Sequence, residues 1–113
     1  MAEVVKELQD KAYEAIELAK KSGKIKKGTN EVTKAVERGI AKLVIVAGNI
    51  TPKEVIMHIG PLCKEKDIPC VFVESKEDLG AAAGLPVGSS AVAIIKEGDS
   101  ANIIKEIKVK MSK

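Results

Sequence analysis

The sequence predicts an α/β sandwich, with helices on both faces of a largely parallel sheet, and three observations predict it. First, Leu43-Val44-Ile45-Val46-Ala47, Cys70-Val71-Phe72-Val73 and the run from Ala91 to Ile95 are continuous apolar stretches. They are too short for helices and lack polar alternation, which suits strands buried on both faces. Second, the segments between them carry apolar residues at helical spacing, so helices and buried strands alternate. Third, helix start and stop residues stand at the junctions: Thr51-Pro52-Lys53-Glu54 and Ser75-Lys76-Glu77-Asp78 open helices, and Gly39 and Gly84 close them.

Taken in order, Val5, Leu8, Ala12, Ala15 and Ala19 place an amphipathic helix over residues 3–21, stopped near Gly23. Lys24 to Lys27 reads as a short edge strand, with Ile25 alone pointing inward and lysines discouraging further pairing. Residues 30–38 form a short helix between Gly28 and Gly39. Thr29 or Asn30 is placed to cap it, and Gly39 to end it in the left-handed conformation. Strand 43–47 follows, then the loop Gly48-Asn49-Ile50 and a helix over 52–66. The buried stripe of that helix is Val55, Ile56, Ile59, Leu62 and Cys63, and Pro61 breaks or kinks it near residues 58–60. Strand 70–73, helix 76–83, the loop Leu85 to Ser89, strand 91–95 and a last helix after Gly98-Asp99-Ser100 complete the chain. Ile103, Ile104 and Ile107 form the apolar face of that last helix.

A chain of 113 residues makes one domain, residues 1–113, able to bury a core without disulfide or metal staples. That core is aliphatic, because Tyr13 and Phe72 are the sole aromatics and Trp is absent. Stacking of bases on aromatic platforms is thereby disfavoured, which counts against a recognition-motif sheet or a cold-shock-like barrel. Cys63 and Cys70 lack metal-ligand spacing and read as reduced, buried thiols of an intracellular, cytoplasmic protein. No apolar run is long enough to cross a bilayer, and the first residues lack the form of a signal peptide.

Charge is unevenly placed. Residues 20–42 carry eight lysines and arginines against Glu31 and Glu37, a local net of +6, while the rest of the chain sums to −3. That asymmetry points to a localised anionic partner, or else to an exposed lysine-rich linker. Within the stretch, Val32, Ala35 and Val36 face the core. Asn30, Lys34 and Arg38 recur at i, i+4, i+8 on the outward face, with Glu31 beside them. The amide, ammonium and guanidinium are types that hydrogen-bond base edges and phosphates, near a helix N-terminus that favours anions. The plainer alternative is a solvated face with Glu31–Lys34 as an i, i+3 ion pair.

A catalytic reading finds no footing. His58, the single histidine, lies between Ile56 and Ile59 with no nucleophile motif addressed to it, and reads as a packed or solvent-edge side chain. Gly84-Leu85-Pro86-Val87-Gly88 and Gly80-Ala81-Ala82-Ala83-Gly84 match neither phosphate-loop nor dinucleotide spacing. Ser89-Ser90 lack a nucleophile elbow, and the acidic residues form no paired set. The expectation is a protein that is not an enzyme and uses no cofactor or metal.

The run Gly28-Thr29-Asn30-Glu31-Val32-Thr33-Lys34-Ala35-Val36-Glu37-Arg38-Gly39 resembles the signature of the kink-turn-binding ribosomal proteins, the L-seven-Ae family. The resemblance continues through Leu43 to Ala47, Pro61-Leu62-Cys63, Ile68-Pro69, Ser75 to Gly80, Ala83-Gly84 and strand 91–95, roughly residues 24–98. It implies a three-layer α/β/α sandwich with a mixed four-stranded sheet. It also implies binding to kink-turn RNA, a sharply bent helix–bulge–helix with tandem sheared G·A pairs, in ribosomal RNA or in box C/D and box H/ACA guide RNAs. Archaeal members are further associated with the ribonuclease that matures transfer RNA.

By the same resemblance Asn30, Glu31 and Lys34 read the sheared pairs, while Lys27, the Gly28 backbone, Thr29 and Arg38 lie along the RNA. Leu85, Pro86, Val87, Gly88 and Ser89 cap the bulge, with Val87 against an extruded base. Gly48-Asn49 stands where archaeal members usually carry an acidic pair, and Thr51 where many carry a carboxylate. The implied state is a monomer, working with ribonucleoprotein partner proteins and no membrane. An alternative is a scaffold subunit whose helices 52–66 and 76–83 recruit a methyltransferase-bearing or pseudouridine-synthase partner; a small α/β enzyme is a third reading.

Overall fold

A computed structural model describes residues 6–49 and 57–111. The chain runs α1 (Lys6–Ser22), β1 (Lys24–Lys27), α2 (Thr29–Glu37), β2 (Leu43–Ala47), α3 (Ile59–Glu65), β3 (Cys70–Val73), α4 (Lys76–Ala82), β4 (Ala91–Lys96), a 3₁₀ turn (Gly98–Ser100) and α5 (Ala101–Met111). All four strands stand within a residue of where the apolar runs place them. The Thr51-Pro52 helix start and the stripe residues Val55 and Ile56 lie outside the described residues. What is described is a turn at 57–58 and α3 from Ile59. Pro61 falls in the first turn of α3, where its missing N–H costs no helical bond.

The strands form one sheet of order β1-β4-β2-β3. The expectation of a largely parallel sheet is corrected here. Only β2 and β3 pair in parallel, whereas β4 runs antiparallel to both β1 and β2. Hydrophobic periodicity reports burial, not the direction in which a strand enters the sheet, so it could not separate the two arrangements. The sheet is mixed, as the family resemblance implies.

Alternation along β2 builds two cores. Leu43, Ile45 and Ala47 face a layer of α1, α4 and α5, where Ala12, Ala15, Ile16, Ala19, Leu79, Ile104 and Ile107 are buried. Val44 and Val46 face α2 and α3, against Val32, Ala35, Val36, Ile59 and Cys63. The result is an α/β/α sandwich. At about 1.5–3 kcal/mol for each fully buried valine, the Val32 and Val36 contacts fix α2 to the sheet and leave its outer face free of any packing role.

Candidate nucleic-acid interface

The site forms where three chain segments meet at one end of the sheet. Because β4 is antiparallel to its neighbours, its first residue lies beside the last residues of β1 and of β2: Lys27 pairs with Val92, and Val46 with Ala91. The start of α2, the loop entering β4 and the residues after β2 therefore converge. Three hydrogen bonds lock them. Gly28 N donates to the Ala91 carbonyl at 2.9 Å, Ala47 N donates to the Ser90 carbonyl at 3.0 Å, and the Thr29 and Ser90 hydroxyls bond each other at 2.6 Å.

This arrangement revises how α2 begins. Gly28, not Thr29 or Asn30, is the residue flanking the helix, and no side chain caps it. Thr29 is already the first helical residue, and its hydroxyl bonds Ser90 instead. Gly28 has φ +95°, with open space where a Cβ would stand, so the backbone angle rather than crowding calls for glycine. Gly39 ends the helix at φ +70°, as its position implied.

The outer face of α2 carries Asn30, Glu31, Lys34 and Arg38, all exposed. The Asn30 amide has no hydrogen-bond partner among the described residues. Glu31 and Lys34 form the i, i+3 pair, but at 3.9 Å and with both side chains more than half exposed. Such a pair is worth about 0–1 kcal/mol and yields readily to a ligand. Among the described residues it is the only ion pair that involves a cation of the 20–42 stretch. Arg38 lies two turns along, about 12 Å from Asn30 by helical rise.

The loop after α4 supplies the apolar rim. Pro86, Val87 and Gly88 are exposed, Val87 by 67%. Leu85 instead packs on the α1–α4–α5 core, and Ser89 is buried, its hydroxyl donating to the Ala91 carbonyl. Those two residues hold the loop rather than offer side chains. Gly80 in α4 makes the loop's course possible, since a Cβ there would run into the Val87 carbonyl. The Ser89 N–H also donates to the Lys76 carbonyl.

Several positioning residues are invisible at the level of motifs. Asn49 accepts from Lys76 N at 2.9 Å and donates to the Glu77 carboxylate at 3.4 Å, joining the end of β2 to the start of α4. The Glu77 carboxyl is held below its ordinary value, first by a backbone N–H and then by the Asn49 amide. Ser75 caps α4 by accepting from Asp78 N, as read. Thr33 donates to the Thr29 carbonyl and therefore accepts at 2.8 Å from His58, which fixes the Nε2–H tautomer and ties α3 to α2. His58 is thus a solvent-edge residue with a structural partner.

A small α/β/α domain that presents one short polar helix beside an apolar loop is the class that fold and surface define. The chain belongs to the Ribosomal protein L7Ae/L30e/S12e/Gadd45 family, which it matches over residues 10–104. Among solved structures it is similar to the Giardia lamblia 15.5kD RNA binding protein, with 34% identity and a TM-score of 0.88 over 94% of this chain and 88% of that one.

Proposed function

We propose that this protein is a non-enzymatic RNA-binding protein that recognises and stabilises kink-turn RNA in ribosomal RNA or in box C/D and H/ACA guide RNAs. The observation that carries the reading is the exposed Asn30–Glu31–Lys34 stripe, held beside the Val87 loop by the Thr29–Ser90 hydrogen bond. Family membership and the likeness to the Giardia lamblia 15.5kD RNA binding protein support it.

The chemistry fits that ligand. Side chains cannot enter the deep groove of regular RNA, but a kinked, non-Watson–Crick segment opens it. Asn30 and Lys34 donate to guanine O6 and N7, and Glu31 accepts from a base N–H once its loose pair with Lys34 opens. Lys27 and Arg38 lie along phosphates, with the Gly28 N–H already committed to Ala91. Val87 covers an extruded base. Binding favours the bent RNA over the open bulge by its differential affinity for the two states. The protein acts as a monomer in the cytoplasm, within ribonucleoproteins that mature or build RNA, transfer-RNA processing included.

A gel-shift titration tests this with two RNAs, a kink-turn and a duplex of the same composition lacking the bulge and the G·A pairs. The kink-turn should bind at far lower protein concentration. Equal binding of the two would leave only a generic basic surface.

A further inference from the structure

Away from the α2 surface the sheet ends in a bare edge. β3 stands last in the strand order, so only β2 pairs with it. Their parallel register uses the polar groups of alternate residues: Val44 N donates to the Pro69 carbonyl at 3.0 Å, and Gly48 N to the Val73 carbonyl at 2.8 Å. The backbone N–H and C=O of Cys70 and Phe72, at the intervening positions, therefore point out of the sheet. Nothing among the described residues pairs with them. Cys70 and Phe72 also line an open-sided cavity of about 690 Å³. It straddles the edge, with Gly60 and Lys64 of α3 in one wall and Lys108 of α5, from the other layer of the sandwich, opposite. Phe72 is 38% exposed, and its ring lies over Gly60, where an added Cβ would stand 3.6 Å from it.

We propose that this edge is a docking surface for an extended acidic segment of a partner protein, which adds to the sheet as a strand beside β3. An unpaired edge is a template for such addition. The outward N–H and C=O groups of Cys70 and Phe72 supply main-chain bonds, and alternate side chains of the incoming strand supply selectivity. Charge names the occupant. Lys64 and Lys108 are both exposed, neither enters an ion pair among the described residues, and Asp67 is the one acid in the cavity wall. Carboxylates directed at Lys108 and Lys64 gain attraction that no residue of the chain already supplies, and an apolar side chain on the α3 face covers Phe72. A second copy is the poorer occupant, because pairing β3 with β3 would bring two sets of these lysines together. The inference is independent of RNA binding.

The full chain, labelled with nitrogen-15, is titrated to millimolar levels with an end-capped peptide of alternating glutamate and valine and followed by amide NMR. Cys70 to Val73 should shift, and the Cys70 and Phe72 amides, quick to exchange in the free chain, should become protected. Two control peptides leave the protein untouched: one carries lysine for glutamate, and the other is N-methylated so that it cannot donate main-chain bonds. Each should bind at least about tenfold more weakly, as should the glutamate peptide to Lys108→Glu. Silence at residues 70–73, or a control peptide that binds equally well, overturns the proposal. So does slow exchange of the Cys70 and Phe72 amides in the free monomer, which would mean that the chain covers its own edge. Sedimentation that shows a dimer, with the same amides shifting as protein concentration rises, would give the edge to a second copy instead.

Discussion

Asn30 and Lys34 bear no structural load, and that makes them sharp probes. Neither contributes to a core, and the one ion pair they enter is loose. Asn30→Ala and Lys34→Ala should each weaken binding of a kink-turn RNA by roughly 1–3 kcal/mol, the worth of a base-edge contact. Thermal melting should stay unchanged, and gel-shift titration beside a melting curve separates the two effects. Val87→Asp should likewise weaken RNA binding without unfolding the chain, because the side chain touches mainly solvent; a large fall in melting temperature with intact affinity would go against that assignment. Asn30 and Lys34 could be picked out from the sequence because helical spacing is local, and Val87 through the family resemblance. Ser90 and His58 could not. Their partners Thr29 and Thr33 are 61 and 25 positions away, and a hydroxyl gives no sign in sequence of which distant hydroxyl or ring it will meet. For the same reason Leu85 and Ser89 read as loop residues facing outward, whereas the core claims one and a backbone carbonyl the other.

At the scale of elements, α4 shows how a helix can hold a loop in place. Gly80 lies inside that helix, where glycine costs about 0.5–1 kcal/mol against alanine. Gly80→Ala would recover that amount but would drive a methyl into the Val87 carbonyl, an overpacking cost of about 1–3 kcal/mol. The second term wins. Urea unfolding should show net destabilisation, and RNA affinity should fall as the loop shifts; a stabilised variant with unaltered affinity would mean that the loop is not seated on Gly80. Ser75→Ala should cost about 0.5–2 kcal/mol through the lost α4 cap, read from the same unfolding curves. The Ser75 cap was legible because its donor is three residues on. The cap of α2 was not legible, because Gly28 flanks the helix and puts Thr29, equally suited by type, inside its first turn.

Over the whole molecule, strand direction assembles the interface. With β4 antiparallel to β1 and β2, loop 85–89 arrives at the end of the sheet from which α2 departs; a parallel β4 would carry it to the opposite end. Buried strands are plain in the sequence, but their directions are not, so the site's parts could be named before their meeting place could be derived. Of the cation-rich stretch 20–42, Lys27 stands at this end of the sheet, whereas Lys24 and Lys42 flank the far end of β4. If Lys27 and Arg38 each displace a counterion, the logarithm of RNA affinity should fall against that of salt with a slope of about −1 to −2, and a flat line would remove phosphates from the account. The most direct test is hydrogen-exchange mass spectrometry of the free protein and of its mixture with a kink-turn RNA. New protection should appear together over residues 27–38 and 85–90 and leave 101–111 unchanged. Protection confined to the cavity around Phe72, or none in α2, would contradict the claim that one end of the sheet gathers a single RNA-binding surface.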